Sequence, residues 1–287
     1  MLAAITVNNA AHQREHAAAM KTGLERHGLA VAFTAADEPV EHADLHVTWS
    51  VKRPRVFDWR RRTGRPVLVM ERGYLPNRMV YSSFGWNGLN NRASFPAAPD
   101  GSARFRRLFA HHLAPWRGAA AAARPRTALL CGQVPGDASL YGVDFAVWTA
   151  ATAAVLAAAE WRVLFRPHPL LTRVGYTGHP AARPPPGAVA APGPAFADAL
   201  AAADLCVTYN SNAGVEAVLA GVPTVTLDAG AIAWPVAAHD LAAAGHTPDR
   251  SRWCADTAWR QWSLAEIAAG DAWAAAAPGA AVEGIAA

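Results

Sequence analysis

"DLCVTYNSNAGVEAVLAGVPTVTLD" (204–228) decides the fold, because it holds a strand, a helix and a second strand in succession. A run of β-prone residues at 204–210 precedes a run of small residues typical of a helix at 211–221, and a second β-prone run follows at 223–228. Two strands joined by a helix lie parallel in one sheet, with a right-handed crossover. The stretch therefore predicts an α/β fold.

The same alternation extends back to residue 127. It predicts strands over 127–133 and 162–168 and helices over 143–160 and 195–203. A Pro-rich stretch at 179–194 predicts a surface loop between them. This part of the chain therefore forms one domain around a parallel sheet.

An earlier series of strands and helices precedes it. The predicted strands are 3–8, 29–35, 44–50 and 66–71, and the helices are 12–27 and a basic one within 52–65. The domains are accordingly expected at 1–117 and 127–253, joined by a linker at 118–126 and followed by a closing amphipathic helix and tail at 254–287. The fold class is α/β, with two Rossmann-like doubly wound domains that face a cleft.

Composition agrees with two globular domains. The chain has 287 residues, of which 52% are hydrophobic and 17% charged. Its three cysteines (Cys131, Cys206 and Cys254) lie far apart in apolar runs, which indicates buried thiols rather than a metal site. No secretory signal or membrane span is evident, so we expect a cytoplasmic protein with no membrane partner.

Charge is uneven along the chain. Residues up to 117 hold 17 Lys or Arg against 9 Asp or Glu, and the later residues hold 9 against 13. "KRPRVFDWRRRTGR" (52–65) contains seven of the basic residues. Such a concentration is typical of a solvated helix face, and an anionic acceptor such as nucleic acid is the alternative.

Ligands of doubly wound sheets bind beyond the carboxyl ends of the strands. Neither dinucleotide nor P-loop fingerprints occur there. Asn210, Ser211 and Asn212 follow a strand and begin a helix, where exposed amides would hold phosphate oxygens. Glu216, one turn further on, would accept from ribose hydroxyls. An N-cap and a dipole-complementing carboxylate are the alternatives.

Two other strand ends are candidates for the same site. "FRPHPL" (165–170) fixes Arg166 and His168 where both could hold a diphosphate, although a plain surface turn is the alternative. "CGQVPGDAS" (131–139) contributes Gln133, and its glycines would allow close approach of a ligand.

Together these motifs resemble the donor half of a GT-B glycosyltransferase over residues 127–241. "FRPHP" followed by "TYNSNAGVEAVLAGVPTV" is similar to the motifs with which such enzymes grip donor phosphates and ribose. The resemblance implies a nucleotide-sugar co-substrate, such as a UDP-sugar, and no cofactor or essential metal. Sugar-nucleotide epimerases share the pattern.

A narrower resemblance involves residues 70–95 and 246–273. Both segments look like parts of tailed-phage and prophage proteins described as glycosyltransferase-like. This resemblance and the basic first half imply duplex DNA as acceptor, modified on 5-hydroxymethylcytosine or a related base. A polysaccharide glycosyltransferase, an epimerase and a non-catalytic nucleic-acid-binding protein are the alternatives.

An inverting transfer requires a general base in the first domain. Glu71, at the end of a strand, is the first candidate, His12 the second and Asp58 a distant third. A structural ion pair of Glu71 with Arg72 or Arg92 is the alternative.

The remaining candidates come from loops. "GWNGLNNRA" (85–93) joins an indole to amides that could stack on and read an acceptor, or could form a tight turn. The expected acceptor-binding residues are Arg72, Tyr74, Trp86, Asn87, Asn90 and Arg92. His239 is added to the donor site. No histidine spacing predicts a metal site, and Trp259, Trp262 and Trp273 predict a buried stripe on the closing helix.

Overall fold

The computed structural model describes residues 1–7, 10–35, 37–99, 101–118, 125–172 and 179–282. The chain forms two compact units. Unit 1 consists of Met1–Phe109 with Ser251–Ala287, and unit 2 consists of Ala110–Arg250. The division falls before the expected boundary at residue 117, because the backbone of Ala114 and Arg117 hydrogen-bonds to Leu219 and Gly221 of unit 2. Most of the expected linker, 119–124, lies outside the described residues.

The first part of unit 1 alternates strands and helices as expected and then adds a fifth strand. The strands are β1 (Leu2–Val7), β2 (Ala30–Ala35), β3 (Leu45–Trp49), β4 (Val67–Arg72) and β5 (Tyr81–Trp86). The helices are α1 (Ala11–Arg26), α2 (Pro54–Thr63) and α3 (Ala103–Leu108). Helix α2 begins with a proline and ends at Gly64, whose φ of 72° only glycine adopts easily.

Unit 2 repeats the alternation. Its strands are β6 (Thr127–Cys131), β7 (Arg162–Arg166), β8 (Ala188–Ala190), β9 (Leu205–Thr208) and β10 (Thr224–Thr226). Its α-helices are α4 (Phe145–Ala158), α5 (Phe196–Ala201) and α6 (Ala213–Leu219). Strand β8 lies inside the Pro-rich stretch that was expected to be a loop, so that expectation is wrong for these three residues.

The closing segment is not one amphipathic helix. It forms α7 (Ser251–Trp259), β11 (Gln261–Ser263), α8 (Leu264–Ala269) and α9 (Asp271–Val282). Ser263 caps α8 in a capping box with Glu266, which holds the preceding residues extended. The expected tryptophan stripe is therefore wrong: Trp262 and Trp273 are each only 5% exposed, but the three tryptophans belong to three different elements.

Each unit is built on one sheet. Sheet 1 has the order β11-β5-β4-β3-β1-β2, in which β1 to β4 are parallel and β5 and β11 are antiparallel to their neighbours. Sheet 2 has the order β10-β9-β6-β7-β8 and all its pairs are parallel. Among the described residues no helix has the length and apolar character needed to cross a membrane.

Both faces of sheet 2 are covered. Leu130 of β6 packs in the same cluster as Leu156 of α4. Its neighbour Leu129 packs in a second cluster with Leu200 of α5 and Ala217 of α6. Successive side chains of a strand point to opposite faces. The helices therefore lie on both sides of the sheet, which confirms the doubly wound α/β arrangement.

Candidate functional site

The strand order of sheet 2 reverses between β6 and β9, because the chain runs outward from β6 through β7 to β8 and then returns to the other side. Ligands of such sheets bind in the crevice that opens at this switch point, beyond the carboxyl ends of the strands. Gln133 follows β6 and Asn210 follows β9. The two predicted residues therefore lie together at the edge where a ligand is expected.

Gln133 and Asn210 form the centre of a buried hydrogen-bond network. Gln133 Nε2 donates to Asn210 Oδ1 at 2.8 Å, and the backbone N–H of Asn210 donates to Gln133 Oε1 at 3.1 Å. Asn210 Nδ2 donates to the Ser139 carbonyl at 2.7 Å and to Asp228 Oδ2 at 2.8 Å. Both amide hydrogens of Asn210 are thus used within the chain. The network shapes the edge, and its members Ser139 and Asp228 were missed by the sequence analysis.

The start of α6 differs from the expectation of exposed amides. The N–H of Ala213 donates to Ser211 Oγ, and the N–H groups of Val215 and Glu216 donate to the Asn212 carbonyl. Asn212 occupies the N-cap position, but its side chain makes no capping hydrogen bond. The amides of Ala213, Val215 and Glu216 therefore have acceptors within the chain and are not the exposed donors that were expected here.

Two opposite charges act on the carboxyl end of β6. The Cys131 thiol, 3.6 Å from the Cys206 thiol, is fully buried. Its pKa is raised well above the usual value by the hydrogen bond to Cys206 and by burial, and the Glu216 carboxylate raises it further. The Arg166 guanidinium lowers it. The charges of Glu216 and Arg166 therefore both act on a group at the end of the central strand.

The "FRPHP" turn is held by its own side chains. Arg166 Nη1 donates to the Gly193 carbonyl at 2.8 Å, and its Nη2 donates to the Pro194 carbonyl. His168 Nδ1 accepts from the Leu170 N–H at 3.2 Å. A Cβ on Gly132 would lie 3.1 Å from the Arg166 carbonyl oxygen, so this glycine lets the loops after β6 and β7 pack closely.

His239 lies beside Trp234. Its ring stacks on Trp234 with centroids 3.5 Å apart and an interplanar angle of 4°, and its Nε2 lies 3.0 Å from the Trp234 carbonyl oxygen. Ala238 pairs with Val225 of β10 in parallel register, so His239 follows at the carboxyl end of sheet 2. The exposed face of this pair offers a flat aromatic surface.

Unit 1 carries an imidazole cluster at the carboxyl end of β3 and β4, formed by His12, His16, Trp49, Arg72 and Ser82. His16 Nδ1 lies 2.6 Å from Ser82 Oγ, and both residues are buried. The rings of His12 and His16 stand edge-on to Trp49 at 5.2 Å and 5.5 Å, and the Arg72 guanidinium lies 5.7 Å from the same ring. Of these residues, only His12 and Arg72 were predicted.

The cluster favours neutral imidazoles. Burial and then the charge of Arg72 lower the pKa of His12, against a smaller opposing effect of Glu15. Burial, Arg72 and His12 lower the pKa of His16 to about 4. A neutral imidazole can accept a proton. His12, at the start of α1, therefore has the protonation state of a general base at neutral pH.

The sequence matches no family model and no curated protein. The fold matches solved structures. The β-Kdo 2,4 transferase of KpsC from Thermosulfurimonas dismutans aligns with a TM-score of 0.58 and 14% identity, over 90% of this chain and 91% of that chain. The β-Kdo 2,7 transferase of the same KpsC aligns with a TM-score of 0.58 and 12% identity, over 93% and 97% of the chains. The fold is that of the GT-B glycosyltransferases.

Within the GT-B fold, Glu71 and His12 do not form one pair. Glu71 pairs across the sheet with Ser83, and Arg72 pairs with Ser82, so the Glu71 side chain points to the face opposite the imidazole cluster. Glu71 Oε1 accepts from the Arg72 backbone N–H at 3.0 Å. The third candidate, Asp58, forms an exposed ion pair with Arg61 on α2.

The "GWNGLNNRA" segment lies at the amino end of the parallel strands of sheet 1, opposite the edge where ligands of such sheets bind. Because β5 runs antiparallel to β4, Trp86 pairs with Leu68 near the amino end of the parallel strands. Trp86 is 1% exposed, and its Nε1 donates to the Ala276 carbonyl. Asn87 and Asn90 have φ of 60° and 55°, typical of Asn in turns, with Arg92 exposed just beyond them. Stacking of Trp86 on an acceptor is therefore wrong, and the turn interpretation holds.

Tyr74 is also unsuited to acceptor contact. Its side chain is 5% exposed, and burial raises the pKa of its hydroxyl. Its backbone N–H donates to Gln261 Oε1 at 2.7 Å. Within the described ranges no cluster of three His, Cys, Asp or Glu residues has the geometry of a metal site.

Proposed function

We propose that this chain is a glycosyltransferase that binds a nucleotide-activated sugar at the carboxyl edge of sheet 2 and transfers the sugar to a hydroxyl group. The observation that carries the proposal is the switch point of sheet 2, where Gln133, Arg166 and Asn210 stand at the carboxyl ends of three neighbouring strands. Nucleotide ligands bind at this point of doubly wound sheets.

The donor groups have distinct roles in this proposal. Arg166, the last residue of β7, and His168, in the turn after it, would bind the phosphate oxygens, since a guanidinium suits that geometry. Glu216 and Ser211 would accept from and donate to the ribose hydroxyls. The Trp234–His239 pair, at the end of β10, offers an aromatic face to the base. Gln133 and Asn210 would position these groups without contacting the donor. A UDP-sugar is the first donor to test.

His12 is the proposed general base. Its neutral imidazole would take the proton of the acceptor hydroxyl while that oxygen attacks the anomeric carbon of the sugar. The bond from that carbon to the phosphate oxygen breaks at the same time, and the nucleotide leaves with the bonding electron pair. Glu71 is the second candidate, although it lies on the other face of sheet 1.

A glycan is the preferred acceptor, in keeping with the Kdo transferases that share the fold. Duplex DNA carrying 5-hydroxymethylcytosine is the second candidate, supported by the arginines of α2. The structure supports a DNA acceptor less than the sequence does. Arg61 and Arg62 are paired with Asp58 and Glu41, and Trp86 is buried and cannot stack on a base.

The donor half is tested by calorimetric titration of the full chain with UDP-, CMP- and dTDP-sugars. We expect one nucleotide class to bind, and Glu216→Gln to weaken binding about tenfold, in line with the loss of a charged hydrogen bond. Asp240→Asn changes an exposed carboxylate that accepts from the Ala243 N–H, and it serves as the matched control. No binding by any donor would refute the proposal.

The acceptor half is tested by mass spectrometry after incubation with the bound donor. One arm contains capsule-type oligosaccharides, and the other contains duplex DNA with 5-hydroxymethylcytosine. A sugar-sized mass gain on either, lost in His12→Ala, establishes transfer and names the acceptor class. Epimerisation of the free donor in the absence of an acceptor would show that the protein is an epimerase and not a transferase.

A further inference from the structure

A pocket of about 450 Å³ lies in unit 1, away from the imidazole cluster and from the residues assigned to the donor. It is an open pocket lined by residues of α3, α7, β11 and α9. Its apolar wall consists of Ala103, Trp259, Trp262, Ala274 and Ala275, and its charged side chains are those of Arg104, Arg107 and Asp271. A mostly apolar cavity with few polar groups is typical of small-ligand sites.

Trp259 is the indole that remains available to a ligand. The rings of Trp259 and Trp262 stand edge-to-face with centroids 5.2 Å apart, and Trp262 Nε1 donates to the Trp259 carbonyl. Trp262 is 5% exposed, with the Arg104 guanidinium 3.9 Å from its ring centroid. Trp259 is only half-buried. The pocket therefore presents part of one indole ring beside small alanines.

The wall behind the indoles is rigid. Arg104 is 5% exposed and forms a bidentate ion pair with Glu266, at 2.6 Å and 2.8 Å. It also donates to the carbonyls of Ala258 and Gln261. These bonds fix α3 against α7 and β11, and they use the donors of Arg104. Arg104 therefore supports the pocket and is not the group that would bind a ligand.

Arg107 and Asp271 are the charged groups left for a ligand. Both are exposed, one on α3 and the other at the first residue of α9. Among the described residues neither side chain has a hydrogen bond or ion pair. The pocket thus combines a guanidinium fork and a carboxylate beside an aromatic ring, and each of the two can bond to a pair of neighbouring hydroxyls.

We propose that this pocket binds one sugar residue of a glycan acceptor. The C–H face of a pyranose would pack on Trp259, while its hydroxyls donate to Asp271 and accept from Arg107. The carboxylate of Asp271 disfavours a nucleotide or DNA phosphate in the same space. That the bound sugar belongs to the acceptor rests on the proposed function. That the pocket binds a sugar does not depend on it.

The register of sheet 1 connects this pocket with the imidazole cluster. Trp262 lies directly opposite Ser82 in the antiparallel pair of β11 and β5. Ser82 is the hydrogen-bond partner of His16. The pocket wall and the cluster that holds the proposed base therefore lie on neighbouring strands of sheet 1.

The test is titration of the full chain, without any donor, by the methyl glycosides of glucose, galactose and N-acetylglucosamine up to about 50 mM, followed by saturation-transfer NMR. At least one glycoside is expected to bind. Asp271→Asn, Arg107→Gln and Trp259→Phe should each weaken binding about tenfold, a loss typical of one charged hydrogen bond or ring contact. Arg106→Gln, an exposed neighbour on α3 that does not line the pocket, is the matched control.

Several results would overturn the proposal: no binding by any glycoside, binding that the three variants leave unchanged, or displacement of the glycoside by a DNA duplex. Failure of the proposed function gives a different result, namely sugar binding in this titration with no nucleotide-sugar binding in the calorimetric experiment. Circular dichroism of each variant confirms that the fold is retained.

Discussion

Gln133 and Asn210 exchange two hydrogen bonds across the switch point of sheet 2, one between their side chains at 2.8 Å and one from backbone to side chain at 3.1 Å. The pair joins the loops that follow β6 and β9. Any ligand at this edge is therefore bound by loops whose relative position depends on two buried amides.

The first prediction concerns this pair. Asn210→Ala should destabilise unit 2 by about 2–4 kcal/mol, because it also removes the donor to the Ser139 carbonyl and one of the donors to Asp228. In a double-mutant cycle with Gln133→Ala, the coupling free energy should be about 1–2 kcal/mol. Urea unfolding followed by tryptophan fluorescence measures both. Strict additivity of the two substitutions would contradict the interaction.

The second prediction concerns the acid sensitivity of unit 1. Burial is the main cause that lowers the pKa values of His16 and His46 to about 4. Unfolded chains take up these protons near pH 6.5. The free energy of unfolding should therefore fall as the pH decreases from 6.5 to 4, by up to about 3 kcal/mol for each histidine.

Urea unfolding at a series of pH values measures this dependence. His46→Leu should make the free energy of unfolding less dependent on pH, because the leucine cannot take up the proton that His46 binds on unfolding. The same slope in the variant and the unmodified chain would show that His46 is not the group responsible.

The third prediction concerns the ion pair of Arg104 and Glu266. Burial opposes ionisation of Glu266, but hydrogen bonds from Arg104 and Ser263 outweigh burial and lower its pKa to about 2. Its stabilising effect is present above the unfolded-state pKa and is lost as the pH falls from about 4.5 towards 2. Glu266→Gln should cost about 2–4 kcal/mol at pH 7, because it leaves a buried guanidinium without its partner.

The matched control is Glu25→Gln, which breaks the exposed pair of Glu25 and Lys21. We expect a change of less than about 0.5 kcal/mol, as is usual for surface pairs on a helix. Equal effects of the two substitutions in urea unfolding would mean that burial of the Arg104 pair contributes nothing.

The fourth prediction concerns the pH profile of sugar transfer. His12 must be neutral to accept a proton, so the rate should fall on the acid side below pH 6.5, at the lowered pKa of this residue. Arg72→Gln removes one of the two causes that lower this pKa and should move the acid limb to higher pH. Initial rates between pH 5 and pH 8 on a saturating donor, roughly the range in which histidine titrates, measure the shift.

Glu71→Gln is the comparison for this experiment. It should leave the acid limb in place, because Glu71 lies on the other face of the sheet. Loss of activity in Glu71→Gln with an unchanged profile in Arg72→Gln would transfer the role of base to Glu71.

The parallel strands were predictable because their signals are local. The apolar runs that became β9 and β10 flank a run of small residues, and each period is visible within a few residues. Strand β5 was missed because Ser82, Ser83 and Gly85 weaken its apolar alternation. Strand β11 was missed because it has only three residues, too few to show the alternation of a strand, and helices precede and follow it.

The site was predictable in position but not in the direction of its side chains. Residues that follow parallel strands lie at one edge of the sheet, and Gln133, Arg166 and Asn210 were found there on that basis. Asn210 points inward because its side chain bonds to Gln133 and Asp228, which lie 77 and 18 residues away along the chain. Such partners become evident only when the strands are assembled.

The pairing of β11 with β5 also bears on the order in which the protein is made. Sheet 1 acquires its edge strand only when residues 261–263 have left the ribosome, about 175 residues after β5. Unit 2 is continuous from Ala110 to Arg250, so all of its strands emerge before that moment. During translation the later-encoded unit can therefore complete its sheet first, while the apolar edge of the earlier one awaits its last strand and needs protection from aggregation.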